Sequence, residues 1–240
     1  MRFISSSFPL LCLAGMLAVQ ACAAEPSLEE LLAKARSIAD YDAVIARFPR
    51  SAEAHDRRGS EHFKQGNIAA SIADFDRAIA LEPAREPGHW KRGISYYYAA
   101  EFEKGQQQFE GYQTVDDNDV ENAVWRFLCM ARRLGVGPAR KAMLKIGADP
   151  RVPMMQVYDL YRGELQPDDV LAAARNGDPS PPELNQRLFY AHLYLGLYYD
   201  ATGNREQALR HVTSAEEHKI GHYMWDVARV HAERLREAAK

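Results

Sequence analysis

The sequence predicts an all-α protein made of stacked helical hairpins, and three observations carry that prediction. A pattern of small and bulky residues between Ala52 and Pro83 returns 34 residues later, so that Gly59 maps onto Gly93, His62 onto Tyr96, Phe75 onto Phe109 and His55 onto His89. It returns again from Phe189, where Gly196, Tyr199, Gly203, Ala208 and Ala215 keep the same offsets. Glycine and proline stand where helices must stop: Gly66 and Gly203 suit a left-handed cap, and Pro83 cannot continue a helix.

The spacing has a physical reason. A small residue at the eighth position of each repeat (Gly59, Gly93, Gly196) lets the second helix of a hairpin approach the first closely. Asn67 and Asn204 follow the turn glycines and suit the next helix start. One hairpin cannot bury its apolar stripe alone, so such units stack into a solenoid. A 34-residue period with these positions resembles the tetratricopeptide repeat (TPR). The resemblance implies a right-handed superhelix whose concave face is lined by the first helix of each repeat.

Residues 1–24 read as a secretory signal peptide. Arg2 gives a positive start, Phe8 to Val19 is a short apolar run, and Ala21, Ala23 and Ala24 offer small-residue cleavage sites. Two endings are open. Cleavage after Ala23 or Ala24 releases a soluble chain, whereas Val19-Gln20-Ala21-Cys22 resembles a bacterial lipobox that would place a lipid on Cys22. Gln20 is an unusual residue for that box.

The remainder, 25–240, is expected to be one solenoid. Ser27 to Glu30 opens a partial repeat over 28–49 with a capping box, and repeats follow at 52–85 and 86–119. In the second of these, Ala100 replaces the turn glycine and Gly105 an expected alanine. Irregular pairs span 120–175: a helix over 120–134 with Trp125, Leu128 and Cys129 on its apolar side, one over 138–146, and a short pair over 152–161 and 167–175. A loop is expected at 176–182, then a repeat over 189–222. A final amphipathic helix over 222–237 is expected to cover the open apolar end.

Composition narrows function. A net charge of −3 with interleaved signs points to neither nucleic acid nor an anionic membrane. Of three cysteines, Cys12 and Cys22 lie in the leader, leaving Cys129 as a buried small hydrophobe. Asp116 to Glu121 lacks the glycine and terminal glutamate of a calcium loop, and Asn118 capping a helix explains it. His55, His89 and His192 share a packing position. His218 and His222 are four apart but separated by Gly221 and lack a third ligand, so no metal or cofactor is expected. Arg58 and Asp74 are placed to pair inside the first hairpin.

The order of elements, with the stretches YDLYRGELQPDDVL and YLGLYYDATGNREQA, is similar to the NlpI-type envelope TPR lipoproteins of bacteria. That resemblance implies an envelope adaptor, often a homodimer, that brings a protease or cell-wall hydrolase to its client. On the TPR scheme the inward positions are Glu53, Asp56, Ser60, Phe63 and Lys64 in the first repeat. They are Pro87, Trp90, Ile94, Tyr97 and Tyr98 in the second, and Tyr190, Leu193, Leu197, Asp200 and Ala201 in the third. The aromatic patch of the second repeat is the favoured contact for a protein segment, unless the middle helices fold back and bury it. The lysine and asparagine clamp of chaperone-tail binders is absent, since Asp56, Ser60, Trp90 and Ile94 occupy its places. The first expectation is a non-enzymatic adaptor in the periplasm. The alternative is an envelope hydrolase or regulator with a site near His218, His222, Asp226 and Glu233.

Overall fold

The computed structural model describes residues 25–238, which form 13 α-helices and no strand. The leader, its cleavage sites and Cys22 lie outside the described residues. No described helix is long and apolar enough to cross a membrane.

Ser27 opens α1 (Leu28–Lys34) with the expected capping box: the Glu30 N–H donates to Ser27 Oγ at 3.3 Å and the Ser27 N–H to Glu30 Oε2 at 2.8 Å. A second box, Ser37 with Asp40, starts α2 (Ile38–Arg47). This partial unit buries Leu32, Tyr41 and Val44 against Ala54 of the first full hairpin.

That hairpin pairs α3 (Ala52–Lys64) with α4 (Ile68–Leu81), and the next pairs α5 (Trp90–Tyr98) with α6 (Phe102–Tyr112). The repeat glycines sit where helices cross. A Cβ on Gly59 would stand 2.8 Å from the Phe75 ring, and one on Gly93 would stand 2.7 Å from the Phe109 ring. Gly66 turns the first hairpin with φ +75°. Ala100 does the same work at φ 60°, a conformation that costs a non-glycine residue on the order of 1 kcal/mol. Arg58 and Asp74 pair as expected, at 2.7 Å and 2.8 Å.

The middle section turns inward. α7 (Val120–Leu134) buries residues on almost its whole circumference in its first three turns, Trp125, Leu128 and Cys129 among them. Its approach explains Gly105: a Cβ there would meet Cys129 Sγ at 2.8 Å and the Gly93 carbonyl at 3.3 Å, so an alanine would hold α7 away. The next helix, α8 (Val136–Lys141), is shorter than expected. Beyond it the chain satisfies its backbone elsewhere, with Tyr158 donating to the Leu144 carbonyl at 2.9 Å and accepting from the Ile146 N–H at 3.4 Å. α9 (Met154–Arg162) and α10 (Pro167–Arg175) form the short pair around Gly163.

The expected loop at 176–182 is cut short because α11 (Pro181–Ala201) begins within it. Prolines 181 and 182 occupy the first turn, where a missing N–H breaks no helical bond. α12 (Arg205–Glu217) completes the last hairpin. The crossing at Gly196 is the tightest: a Cβ would lie 2.4 Å from Val212 Cγ1, 3.1 Å from the Val212 nitrogen and 3.2 Å from the Ala208 carbonyl.

α13 (Tyr223–Glu237) packs on α12 through Ala208, Val212, Ala232 and Leu235. It is more than a cover for an open end. Its other side reaches α3, where Tyr223 meets Phe63 at 5.2 Å between ring centroids and Arg229 donates to the Lys64 carbonyl. The last helix therefore ties the final hairpin to the first.

Candidate binding site

The inner faces of the repeats are not an open trough. Of the expected contact residues, Phe63, Ile94, Tyr97, Tyr98, Tyr190, Leu193 and Leu197 are buried in the core. The chain's own helices fill the space. Arg132 of α7 donates to the Tyr97 hydroxyl at 3.1 Å, and the Tyr98 hydroxyl meets His231 Nδ1 of α13 at 3.1 Å. Trp125 of α7 packs edge-on against Tyr97 at 5.5 Å. Asp200 pairs with Arg132 and, at 3.5 Å, with His231. Lys64 is taken by Glu61 at 2.7 Å, and Asp56 by His89 at 3.0 Å and Lys91 at 2.9 Å. Most of these inward positions are therefore covered by the chain's own helices rather than open to a foreign segment, with Ile94 and Tyr190 also lining a cavity.

One opening has an aromatic lining. A cavity of about 190 Å³ lies where α5, α6, α7 and the start of α13 do not close. Trp90, Tyr112, Tyr190 and His222 form its walls. Trp90 and His222 stack with centroids 6.1 Å apart and planes inclined by 17°, and His222 is fixed there as the N-cap of α13, its Nδ1 accepting from the Met224 N–H at 3.4 Å.

The polar side of the cavity is an ion cluster whose carboxylates are largely buried and whose arginine reaches the surface. Arg151 donates to Glu121 Oε1 at 2.5 Å, Asp119 Oδ1 at 2.6 Å and Asp149 Oδ1 at 2.9 Å. Tyr194 donates to Glu121 Oε2 at 2.5 Å. Burial pushes the Glu121 carboxyl up to about 7, with Arg151 opposing. Burial likewise raises Asp119. At Asp149 the same burial is outweighed by hydrogen bonds from Arg151, which hold that carboxyl low. His222 is lowered by burial, then by the charges of Arg151 and Lys91, so it is neutral at pH 7.

Two more open grooves share lining residues with the cavity. One shares Trp90 and carries Val115; the other shares Arg151 and Tyr190 and carries Val152. Val115 (56% exposed) and Val152 (39%) are two of the three large hydrophobic side chains that remain exposed among the described residues, the third being Leu134 (53%). The grooves are otherwise polar, with Asp56, Arg85 and Lys91 in the first and Glu183, Gln186 and Arg187 in the second.

Trp90 and Tyr190 were expected at a contact surface and do line the cavity. Glu121, Asp119, Arg151 and Tyr112 were not foreseen. The acidic run 116–121 predicts a helix cap centred on Asn118. Asp119 is the cap, accepting from the Glu121 N–H at 3.1 Å, while Asn118 Oδ1 accepts from the Gly147 and Ala148 N–H groups at 3.1 Å and 3.2 Å. Nothing in the sequence shows that Arg151, 30 residues on, closes over this run.

The residues of the alternative hydrolase site are held by other side chains, with Asp226 and Glu233 both near Arg229. His218 Nδ1 meets Asn185 Oδ1 at 3.1 Å, His222 lies in the cavity wall, Asp226 lies 4.0 Å from Lys64, and Glu233 lies 3.3 Å from Arg229. His55 and His89 are buried in packing positions as expected, and His192 is half-buried with Nδ1 3.0 Å from His211 Nδ1. Among the described residues no group of three or more histidine, cysteine or acidic side chains is placed to hold a metal.

Residues 52–85 match the tetratricopeptide repeat family. The curated proteins give no match. Among solved structures, the chain is similar to a tetratricopeptide repeat protein from Parabacteroides merdae ATCC 43184, at 12% identity over 83% of this chain and 76% of that one, with a TM-score of 0.46. It is also similar to the P58(IPK) TPR domain, at 14% identity over 85% of this chain and 61% of that one, with a TM-score of 0.31.

Proposed function

We propose that this chain is a non-enzymatic protein-interaction scaffold that holds a segment of another polypeptide across the cavity mouth. The observation carrying this reading is the aromatic cavity of Trp90, Tyr112 and Tyr190, with one groove holding the exposed Val115 beside Trp90 and another holding the exposed Val152 beside Tyr190. Exposed valines stand in grooves beside a preformed aromatic opening there, while most of the inward positions of the repeats are buried by the chain itself. Aromatic anchors in a partly enclosed site give large contact area for little lost entropy. The composition of residues 1–24 and the NlpI-type order of elements support a setting outside the cytoplasm, in the periplasm or cell envelope, with an envelope protease or cell-wall hydrolase as the class of partner and a lipid on Cys22 as one form of anchor. Trp90→Ala is the direct test. The variant is expected to keep its far-UV helicity and lose at least ~10-fold in capture of partners from an envelope extract. Undiminished capture by the folded variant would overturn the assignment of this surface.

A further inference from the structure

The cavity has a chemical bias that its aromatic walls alone do not explain. Three carboxylates, Asp119, Glu121 and Asp149, surround a single guanidinium, Arg151, so the cluster carries an excess of negative charge when all are ionised. Arg151 donates to all three of those carboxylates, so its single charge is shared among them and the cluster stays net negative. Lys91, the other cation near His222, is held by Asp56 at 2.9 Å and Ser60 at 3.3 Å. A cation entering between the rings therefore meets uncompensated acid, and aromatic faces that attract positive charge.

Two further atoms mark the cavity as built for an occupant. Asn122 (3% exposed) and Trp125 (2%) both line it, and neither Asn122 Oδ1 nor Trp125 Nε1 has a hydrogen-bond partner among the described residues. The Asn122 amide is fixed, because its Nδ2 donates to the Phe109 carbonyl at 3.1 Å, which leaves the oxygen as a free acceptor. A buried acceptor with no donor costs on the order of 1–3 kcal/mol, and a donor supplied by a ligand removes that cost. The cavity volume exceeds the share of one water, about 30 Å³, so a side chain can enter with water, and a water oxygen can accept from the Trp125 N–H.

We infer that the cavity takes the cationic side chain of a lysine or arginine from the bound segment, its alkyl stem between Trp90, Tyr112 and Tyr190 and its charged head toward Glu121, Asp119 and Asn122 Oδ1. The inference rests on the scaffold reading and names what the scaffold selects. It also sets a pH dependence. Facing Glu121 are Asp119, Asp149, Arg151, Tyr194 and Tyr190, and on the α5 and α13 side His222 and Lys91. As pH falls through 7, Glu121 takes up its proton and stops attracting a cation; lower still, His222 becomes charged and repels one. Both changes weaken binding in acid.

The sequence has three tryptophans, Trp90, Trp125 and Trp225. Trp225 lies apart from the cavity with its N–H on the Glu216 carbonyl at 3.1 Å, so fluorine NMR of 5-fluorotryptophan-labelled protein contains its own control. The probes are lysine, arginine and norleucine, each blocked as the N-acetyl methylamide. Blocked lysine and arginine are expected to shift the Trp90 and Trp125 signals saturably, without moving Trp225, and to bind ~10-fold or more tighter than norleucine. Glu121→Gln is expected to weaken lysine by about 10-fold, with an unmoved Trp225 signal confirming its fold. Equal binding of norleucine overturns the cationic assignment. So does the absence of any shift, and if Trp90→Ala still abolishes partner capture in that case, the scaffold reading survives on its own. If capture is also indifferent to Trp90, both fall.

Discussion

Gly196→Val is expected to destabilise the protein by about 3 kcal/mol or more, the upper part of the range for overpacked cores. The added Cβ alone would stand 2.4 Å from Val212 Cγ1, before the two methyl groups are counted, and the Val212 nitrogen and Ala208 carbonyl at 3.1 Å and 3.2 Å leave the backbone no room to move aside. A flexible side chain could rotate out of the way, but a neighbouring helix has to shift as a body. For a chain of this size the loss corresponds to a fall in Tm of roughly 10 °C. Gly111→Ala is the control: nothing lies within 4 Å of an added Cβ in α6, so it should be neutral or stabilising by about 0.5–1 kcal/mol through helix propensity. Thermal and urea unfolding of the two variants separates a crossing glycine from an incidental one.

Glu121→Gln is expected to stabilise the fold at high pH while removing the cation preference. Folded Glu121 holds its proton to about 7, against an ordinary 4.5. Between those values the folded chain binds one proton more than the unfolded chain, so stability falls as pH rises through this window. The loss is complete above 7 and absent below about 4.5. At 1.36 kcal/mol per pH unit the full effect is at most about 3 kcal/mol, and glutamine, which stands in for the protonated acid, should recover about 2 kcal/mol of it at pH 8. Below pH 4.5 the parent and the variant should unfold at nearly the same urea concentration. A group that weakens its own fold and faces an accessible cavity is the pattern of a binding site rather than of packing.

The hairpin architecture was legible because it depends on local chemistry. Gly59, Gly93 and Gly196 must be small for steric reasons that any helix crossing imposes, and the Ser27 box and the Gly66 and Gly203 turns are set by residues within a few positions of one another. The fate of the inner faces was not legible in the same way. Tyr97 and Tyr98 look alike whether they meet a foreign peptide or Arg132 and His231, since an aromatic surface wants cover from either source. The clue was Gly105, where a glycine in place of alanine looked like a weakened repeat. It is instead the clearance through which Cys129 and the rest of α7 enter. The ion cluster was hidden for a different reason: Arg151 reaches Glu121 across 30 residues of irregular chain, and no periodicity records that closure.

Recognition is expected across the cavity mouth rather than within a trough. Photocrosslinking with benzoylphenylalanine at the three exposed hydrophobic positions tests it most directly, because Val115 and Val152 flank the cavity whereas Leu134 sits at the opposite end of α7. Crosslinks from positions 115 and 152 to one and the same partner, with none from 134, are the predicted result. Crosslinks from 134 alone would contradict it.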